Sequence, residues 1–215
     1  MKVKLCGMKS VEAAQAAVEA GADFIGFIFY PPSSRNVSPG QAAAICDRIG
    51  YKARKVGVFV DEEIHRVKAI AELCNLDFIQ LHGHEDAAYI RQIRQPVIKA
   101  VRYHEGLSHR MIDKLPADLI LIDAGNDLQP GGTGKPFNWQ QAAKDIRRIQ
   151  HSVLIAGGIQ TSNLQQVWDT FHPYGVDASS GLETNGVKDV AKIREFMQEV
   201  KCINATEAAT KEMVI

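Results

Sequence analysis

Residues 3–29 read Val3-Lys4-Leu5-Cys6-Gly7-Met8-Lys9-Ser10-Val11-Glu12-Ala13-Ala14-Gln15-Ala16-Ala17-Val18-Glu19-Ala20-Gly21-Ala22-Asp23-Phe24-Ile25-Gly26-Phe27-Ile28-Phe29. The stretch predicts a strand over 3–6, a helix over 10–20 and a second strand over 24–29. Ser10 stands where a helix N-cap belongs, Glu12 falls in the first turn, and Gly21 follows the last apolar position. The second strand is nearly continuous in apolar character, as strands covered on both faces of a parallel sheet are.

The same unit recurs to the end of the chain. Further strands are predicted over 55–60, 77–81, 97–101, 119–123, 153–156 and 176–178. Between them, apolar residues at three- and four-residue spacing predict helices over 41–49, 62–74, 85–94, 107–115, 139–149, 162–170 and 190–200. Ser38 followed by Pro39 opens the second helix and Asp61 is read as the cap of the third. Eight strands alternating strictly with eight helices predict an α/β fold, a single-domain (β/α)8 TIM barrel over 1–203. The last residues, 204–215, fit no further unit and read as a frayed tail.

Composition narrows the function classes. The 215 residues carry 25 basic and 25 acidic side chains, so nothing favours a nucleic-acid protein. No apolar run approaches the roughly 20 residues that cross a bilayer, and the N-terminus has no signal-peptide core. The four cysteines form neither a disulfide framework nor a metal-ligand spacing; Cys46, Cys74 and Cys202 read as small buried hydrophobes. These features point to a cytoplasmic protein, and they lead us to discard the glycosylation sequon at Asn204.

The intervals after strands 2 and 6 are longer than the rest, and both lie at the C-terminal face where such barrels carry their sites. Two small-residue loops, Ala156-Gly157-Gly158-Ile159 after strand 7 and Ser179-Ser180-Gly181 after strand 8, stand where barrels bind phosphate through backbone amides. Cys6 and Asp123 end strands 1 and 6, so a thiol and a carboxyl face one mouth and suit acid–base work; core packing and loop capping are the alternatives. Gly7 is read as the residue leaving room beside the sulfur. Arg35, in the loop after strand 2, has a planar fork suited to a carboxylate. His82 ends strand 4, either to orient substrate or to satisfy a backbone group. Asp177 in strand 8 suits a sugar hydroxyl or a structural partner. Lys99 is the strand lysine placed to reach the mouth.

These residues resemble the phosphoribosylanthranilate isomerases of tryptophan biosynthesis. The likeness runs through Lys4-Leu5-Cys6-Gly7, Ser34-Arg35, Gln80-Leu81-His82-Gly83, Leu121-Ile122-Asp123, Gly131-Gly132-Thr133-Gly134-Lys135, Ala156-Gly157-Gly158-Ile159, Ser179-Ser180-Gly181-Leu182-Glu183 and Gly186-Val187-Lys188-Asp189. Asn138 stands where aspartate is common. The resemblance implies an Amadori rearrangement of N-(5-phosphoribosyl)anthranilate with Cys6 as general base and Asp123 as general acid. It further implies Arg35 on the anthranilate carboxylate, the two small-residue loops on the phosphate, and no cofactor or metal. The expected partner is this small molecule, not a nucleic acid or a membrane, with a monomer favoured. Met1 directly before strand 1 points to a chain not fused to the indole-glycerol-phosphate synthase barrel. That synthase, another sugar-phosphate barrel such as an epimerase, and a non-catalytic phosphate sensor are the competing readings; the synthase would need lysines closing strands 1, 2 or 6, and none does.

Overall fold

Side chains along each strand alternate between two interiors, because the strand period is two. In a computed structural model, which describes residues 1–124 and 139–212 (side chains to 209), those interiors are the inside of a closed barrel and the layer between barrel and helices. The strands are β1 (Lys2–Cys6), β2 (Phe24–Ile28), β3 (Arg54–Phe59), β4 (Phe78–Leu81), β5 (Val97–Arg102), β6 (Leu119–Asp123), β7 (Ser152–Ala156) and β8 (Gly175–Ala178). All pair in parallel in chain order, and β8 returns to β1 to close the cylinder. The helices are α1 (Val11–Ala20), α2 (Pro39–Ile49), α3 (Ile64–Leu73), α4 (Ala87–Ile90), α5 (His109–Ile112), α6 (Trp139–Ile146), α7 (Leu164–Phe171) and α8 (Val190–Glu212). After β8 a small antiparallel hairpin, β9 (Glu183–Thr184) and β10 (Val187–Lys188), precedes α8. The glycine-rich run 131–135, with the rest of the long loop after strand 6 and Asn138, lies outside the described residues.

The barrel's inside is filled by one face of each strand: Phe24, Val56, Phe78, Ile98, Leu119 and Leu154 pack in its lower part, with Ala100, Leu121 and Ala156 above. The opposite face packs against the helices in a larger apolar layer that includes Val3, Leu5, Ile25, Phe27, Ile79, Ile120 and Ile155. This two-sided burial is why the strands read as unbroken apolar runs. Local signals set the helix ends. Ser10 Oγ accepts from the Ala13 amide at 3.2 Å, and left-handed Gly21 closes α1 with paired bonds from Gly21 to Val18 and from Ala22 to Ala17.

Several sequence expectations are corrected. Asp61 does not cap α3. It is itself left-handed (φ 47°), and its carboxylate accepts from the His84 amide and meets the His84 ring, tying the loops after β3 and β4 together. Helices α4 and α5 are single turns, because each has one fully buried apolar position and is soon followed by a proline, Pro96 or Pro116. The supposed tail is also helical, since α8 runs on to Glu212. Its buried stripe Ile193, Phe196, Met197, Val200 and Ile203 continues past residue 200, and the alanine-rich stretch beyond it propagates the helix. Asn204 accepts from the Met1 amino group at 2.8 Å, joining the two ends of the chain. Among the described residues no helix is long and apolar enough to cross a membrane.

If α8 is the element that closes the helical layer, Phe196→Ala should lower stability by about 3–5 kcal/mol, and Asn204→Ala by only about 1 kcal/mol. Urea unfolding midpoints of the two variants test this ranking.

Candidate active site

At the C-terminal ends of the strands the inward side chains no longer meet across the barrel, and a cavity of about 260 Å³ opens. Cys6, Arg35, His82, Asp123, Gly157, Gly158, Asp177, Ser179 and Ser180 all line it, with Ile28, Val58, Gln80, Ala156 and Ile159. Of the residues singled out from sequence, Gly7 and Lys99 do not line the wall, and neither does Gly181. Its place is between the loops: a Cβ there would lie 2.2 Å from the Ile159 carbonyl oxygen, so glycine lets the loops after β7 and β8 touch.

Cys6 is the last residue of β1 and is buried. The space beside its sulfur comes from Gly26 on β2, its partner in register, where a Cβ would stand 2.7 Å from Sγ. Gly7, read from sequence in that role, serves another: its φ is +79°, and a Cβ there would press on Arg35 Cδ at 2.9 Å. Burial pushes the Cys6 thiol above its ordinary value, against the pull of Lys4. Lys4, one inward position below, is completely buried and donates to Asp177 Oδ1 at 2.8 Å. Asp177 thus has the structural partner left open by its sequence, while still lining the cavity.

Asp123 ends β6 across the mouth. His82 Nε2 lies 3.2 Å from its Oδ2, and His82 Nδ1 lies 3.1 Å from Gln80 Nε2. Since the Gln80 amide nitrogen can only donate, Nδ1 accepts and Nε2–H donates to the Asp123 carboxylate. Gln80 Oε1 is buried without a partner among the described residues.

Arg35 does grip a carboxylate through its fork, but that of Glu183: Nε and Nη2 donate to the two oxygens at 2.6 and 2.7 Å. Lys188 donates to Glu183 as well and to the Ser179 carbonyl at 3.1 Å. Burial would raise the Glu183 carboxyl, yet the Arg35 and Lys188 hydrogen bonds hold it at about 2. The hairpin after β8 is thereby bound to the loop after β2. In the loop after β7, Gly157 and Gly158 have φ of 92° and 63°, and neither amide donates to another protein group among the described residues. Free amides at positive-φ glycines offer donors to an anion.

Lys99 does not reach the mouth. It faces the outer layer, where its ammonium donates to Glu85 at 2.8 Å and the Gly83 carbonyl at 2.6 Å. Sequence reasoning missed Lys4, Gln80, Glu183 and Lys188. For the first two the signal was there, as polar residues on the inward parity of strands ending in Cys6 and Leu81. Glu183 and Lys188 stood in the quoted motifs without a role.

Residues 3–199 match the family described as N-(5'phosphoribosyl)anthranilate (PRA) isomerase. Curated relatives named N-(5'-phosphoribosyl)anthranilate isomerase include one from Bacillus mycoides (strain KBAB4), 40% identical over 94% of this chain and 98% of its own. Another, from Bacillus cereus (strain AH187), is 38% identical over the same shares. Among solved structures, phosphoribosyl anthranilate isomerase from Thermotoga maritima superposes with a TM-score of 0.83 at 35% identity, over 94% of this chain and 98% of that one. One solved with reduced 1-(o-carboxyphenylamino)-1-deoxyribulose 5-phosphate gives 0.81 at 33% identity over the same shares. The chain belongs to the N-(5'-phosphoribosyl)anthranilate isomerase family, aldose–ketose isomerases of tryptophan biosynthesis.

Proposed function

We propose that this cavity isomerises N-(5-phosphoribosyl)anthranilate to 1-(2-carboxyphenylamino)-1-deoxyribulose 5-phosphate, with Asp123 as general acid and Cys6 as general base. The observation that carries the reading is the placement of a thiol and a carboxyl on opposite walls of one cavity, at the ends of β1 and β6. In the first step Asp123 gives a proton to the ribose ring oxygen as its bond to C1′ breaks, and the nitrogen lone pair forms the C1′=N bond. Cys6, as thiolate, then takes the C2′ proton, and the released electron pair forms the C1′=C2′ bond of an enolamine. Tautomerisation returns a proton to C1′ and leaves the ketone at C2′. Carbon 2′ is oxidised and carbon 1′ reduced, so the electrons balance within the substrate.

The acid must hold a proton before ring opening. Turning the Gln80 amide half a revolution would let Oε1 accept from His82 Nδ1–H, leaving Nε2 to accept from a protonated Asp123. His82 thus serves either charge state of the acid. Arg35 spends its Nε/Nη2 edge on Glu183 and keeps the Nη1 edge for the anthranilate carboxylate, so one planar group can meet two carboxylates. Gly157, Gly158, Ser179 and Ser180 would cradle the phosphate, with Gly181 keeping the two loops in contact. Asp177 would take a ribose hydroxyl through the oxygen Lys4 does not use. No cofactor is required by this chemistry, and a small molecule is the partner.

Cys6→Ser and Asp123→Asn should each lower kcat by about 10²–10⁴-fold, followed by the fluorescence decay of freshly made phosphoribosylanthranilate. Near-wild-type turnover in both would exclude the assignment. Arg35→Lys keeps the charge but loses the fork, so KM should rise about ten- to a hundredfold with a smaller effect on kcat. A kcat loss without a KM change would place Arg35 elsewhere.

A further inference from the structure

Lys4 has no role in the steps above, yet it is among the largest completely buried side chains of the described residues. Burying an ammonium costs several kcal/mol even when paired, and a well-packed apolar residue of similar volume is commonly as stable or more so. A lysine held there is poor evidence for stability and better evidence for a charge the site uses. Its position is fixed by the sheet. Lys4 and Cys6 are consecutive inward residues of β1, and Lys4 lies opposite Asp177 in the register of β1 with β8.

We infer that Lys4 is the positioning residue that makes Cys6 a base: its buried ammonium, tied to Asp177, is the countercharge of the thiolate. The inference rests on the isomerase reading of the preceding section and supplies what that reading lacks, a reason for a buried sulfur to ionise.

The charged groups around Cys6 come from each element against it. Its own strand supplies Lys4, β8 supplies Asp177, β10 supplies Lys188, and the loop after β2 supplies Arg35. Asp123 and His82 face it across the cavity, and β2 (Phe24–Ile28), which sets Gly26 beside it, carries no charged residue. Lys188 and Arg35 are both committed to Glu183. Lys4 shares its charge with one carboxylate that also lines the cavity. Burial and Asp177 work against the thiolate, while Lys4 works for it. Lys4 transfers no proton: it stays an ammonium while the proton from C2′ resides on sulfur.

The two members of the pair therefore have opposite effects, which a packing role would not produce. The test is the pH dependence of iodoacetamide alkylation at Cys6, followed by peptide mass spectrometry in a Cys202→Ser background. Cys46 and Cys74 are buried, their thiols pushed to about 12 and about 11. Lys4→Met should move the Cys6 midpoint to higher pH and slow alkylation at neutral pH about tenfold or more. Asp177→Asn should move it to lower pH and speed alkylation, because the sulfur becomes the ammonium's remaining anion. The basic rise of kcat/KM should shift in parallel. Shifts of the same sign in both variants, or none, overturn the inference. If Lys4→Met does not fold, Asp177→Asn decides alone: a lower midpoint supports it, an unchanged or higher one overturns it. Absence of turnover by the unmodified protein would instead overturn the isomerase reading, which the alkylation measurement does not touch.

Discussion

Closure of a parallel sheet on itself leaves each inward side chain with one of two fates. Low in the cylinder it must fill a shared core, so Phe24, Val56, Phe78, Ile98, Leu119 and Leu154 occupy that level. At the C-terminal rim it lines the cavity instead. Cys6 and Asp123 are such terminal residues, both lining that cavity, and the proposed chemistry uses them as a pair. Between core and rim lies a level that is neither dry nor open. Here the barrel places the buried Lys4 and Gln80 and the mostly covered Asp177, polar groups at the floor of the site. An apolar core could not accept them singly, because an unpaired buried charge is far more costly than a paired one.

The zero net charge of the chain is compatible with a doubly anionic substrate because the positive potential is local. Two glycine amides without partners among the described residues and the Nη1 edge of Arg35 face one cavity, and the Lys4 ammonium is buried behind its Asp177. Glu183 keeps that concentration of positive charge from destabilising the empty site. It pairs with Arg35 and Lys188 together, offsetting one of their two charges, and its own carboxyl is held near 2 by them. The same hydrogen bonds orient the guanidinium before any ligand arrives, which reduces the ordering cost of binding.

What the sequence made legible follows the strength of the physical constraint. The strands were readable to within a residue or two because burial on both faces demands apolar runs. The longer helices α1 and α2 carried their own start signals in Ser10 and Ser38 with Pro39. Helices α4 and α5 were overestimated, because a few apolar residues at helical spacing do not fix how far a turn propagates against Pro96 and Pro116. Asp61 misled because an aspartate before a helix can satisfy a neighbouring loop, here His84, instead of the helix end. Gly26 was passed over since its function, room for the Cys6 sulfur, is a contact between strands that sequence order does not display. The partnership of Arg35 with Glu183 spans 148 positions and was equally hidden.

The proposed acid and base sides of the cavity are built on different electrostatic principles. Asp123 is paired with a ring whose hydrogen-bonding role can reverse with its tautomer, steered by the Gln80 amide, and it stands at a partly open rim. Such a partner can hydrogen-bond the carboxyl in either protonation state, donating to the carboxylate or accepting from the acid. Cys6 is enclosed, and its surroundings offer no tautomer to exchange; they offer a fixed cation and a fixed anion in Lys4 and Asp177. An acid that must give up its proton and be ready again suits the first arrangement. A sulfur that must exist as an anion inside a buried wall suits the second, since only a permanent charge at close range offsets the loss of water around it. The two strand-end residues thus acquire opposite tasks from the inward side chains placed beneath and beside them.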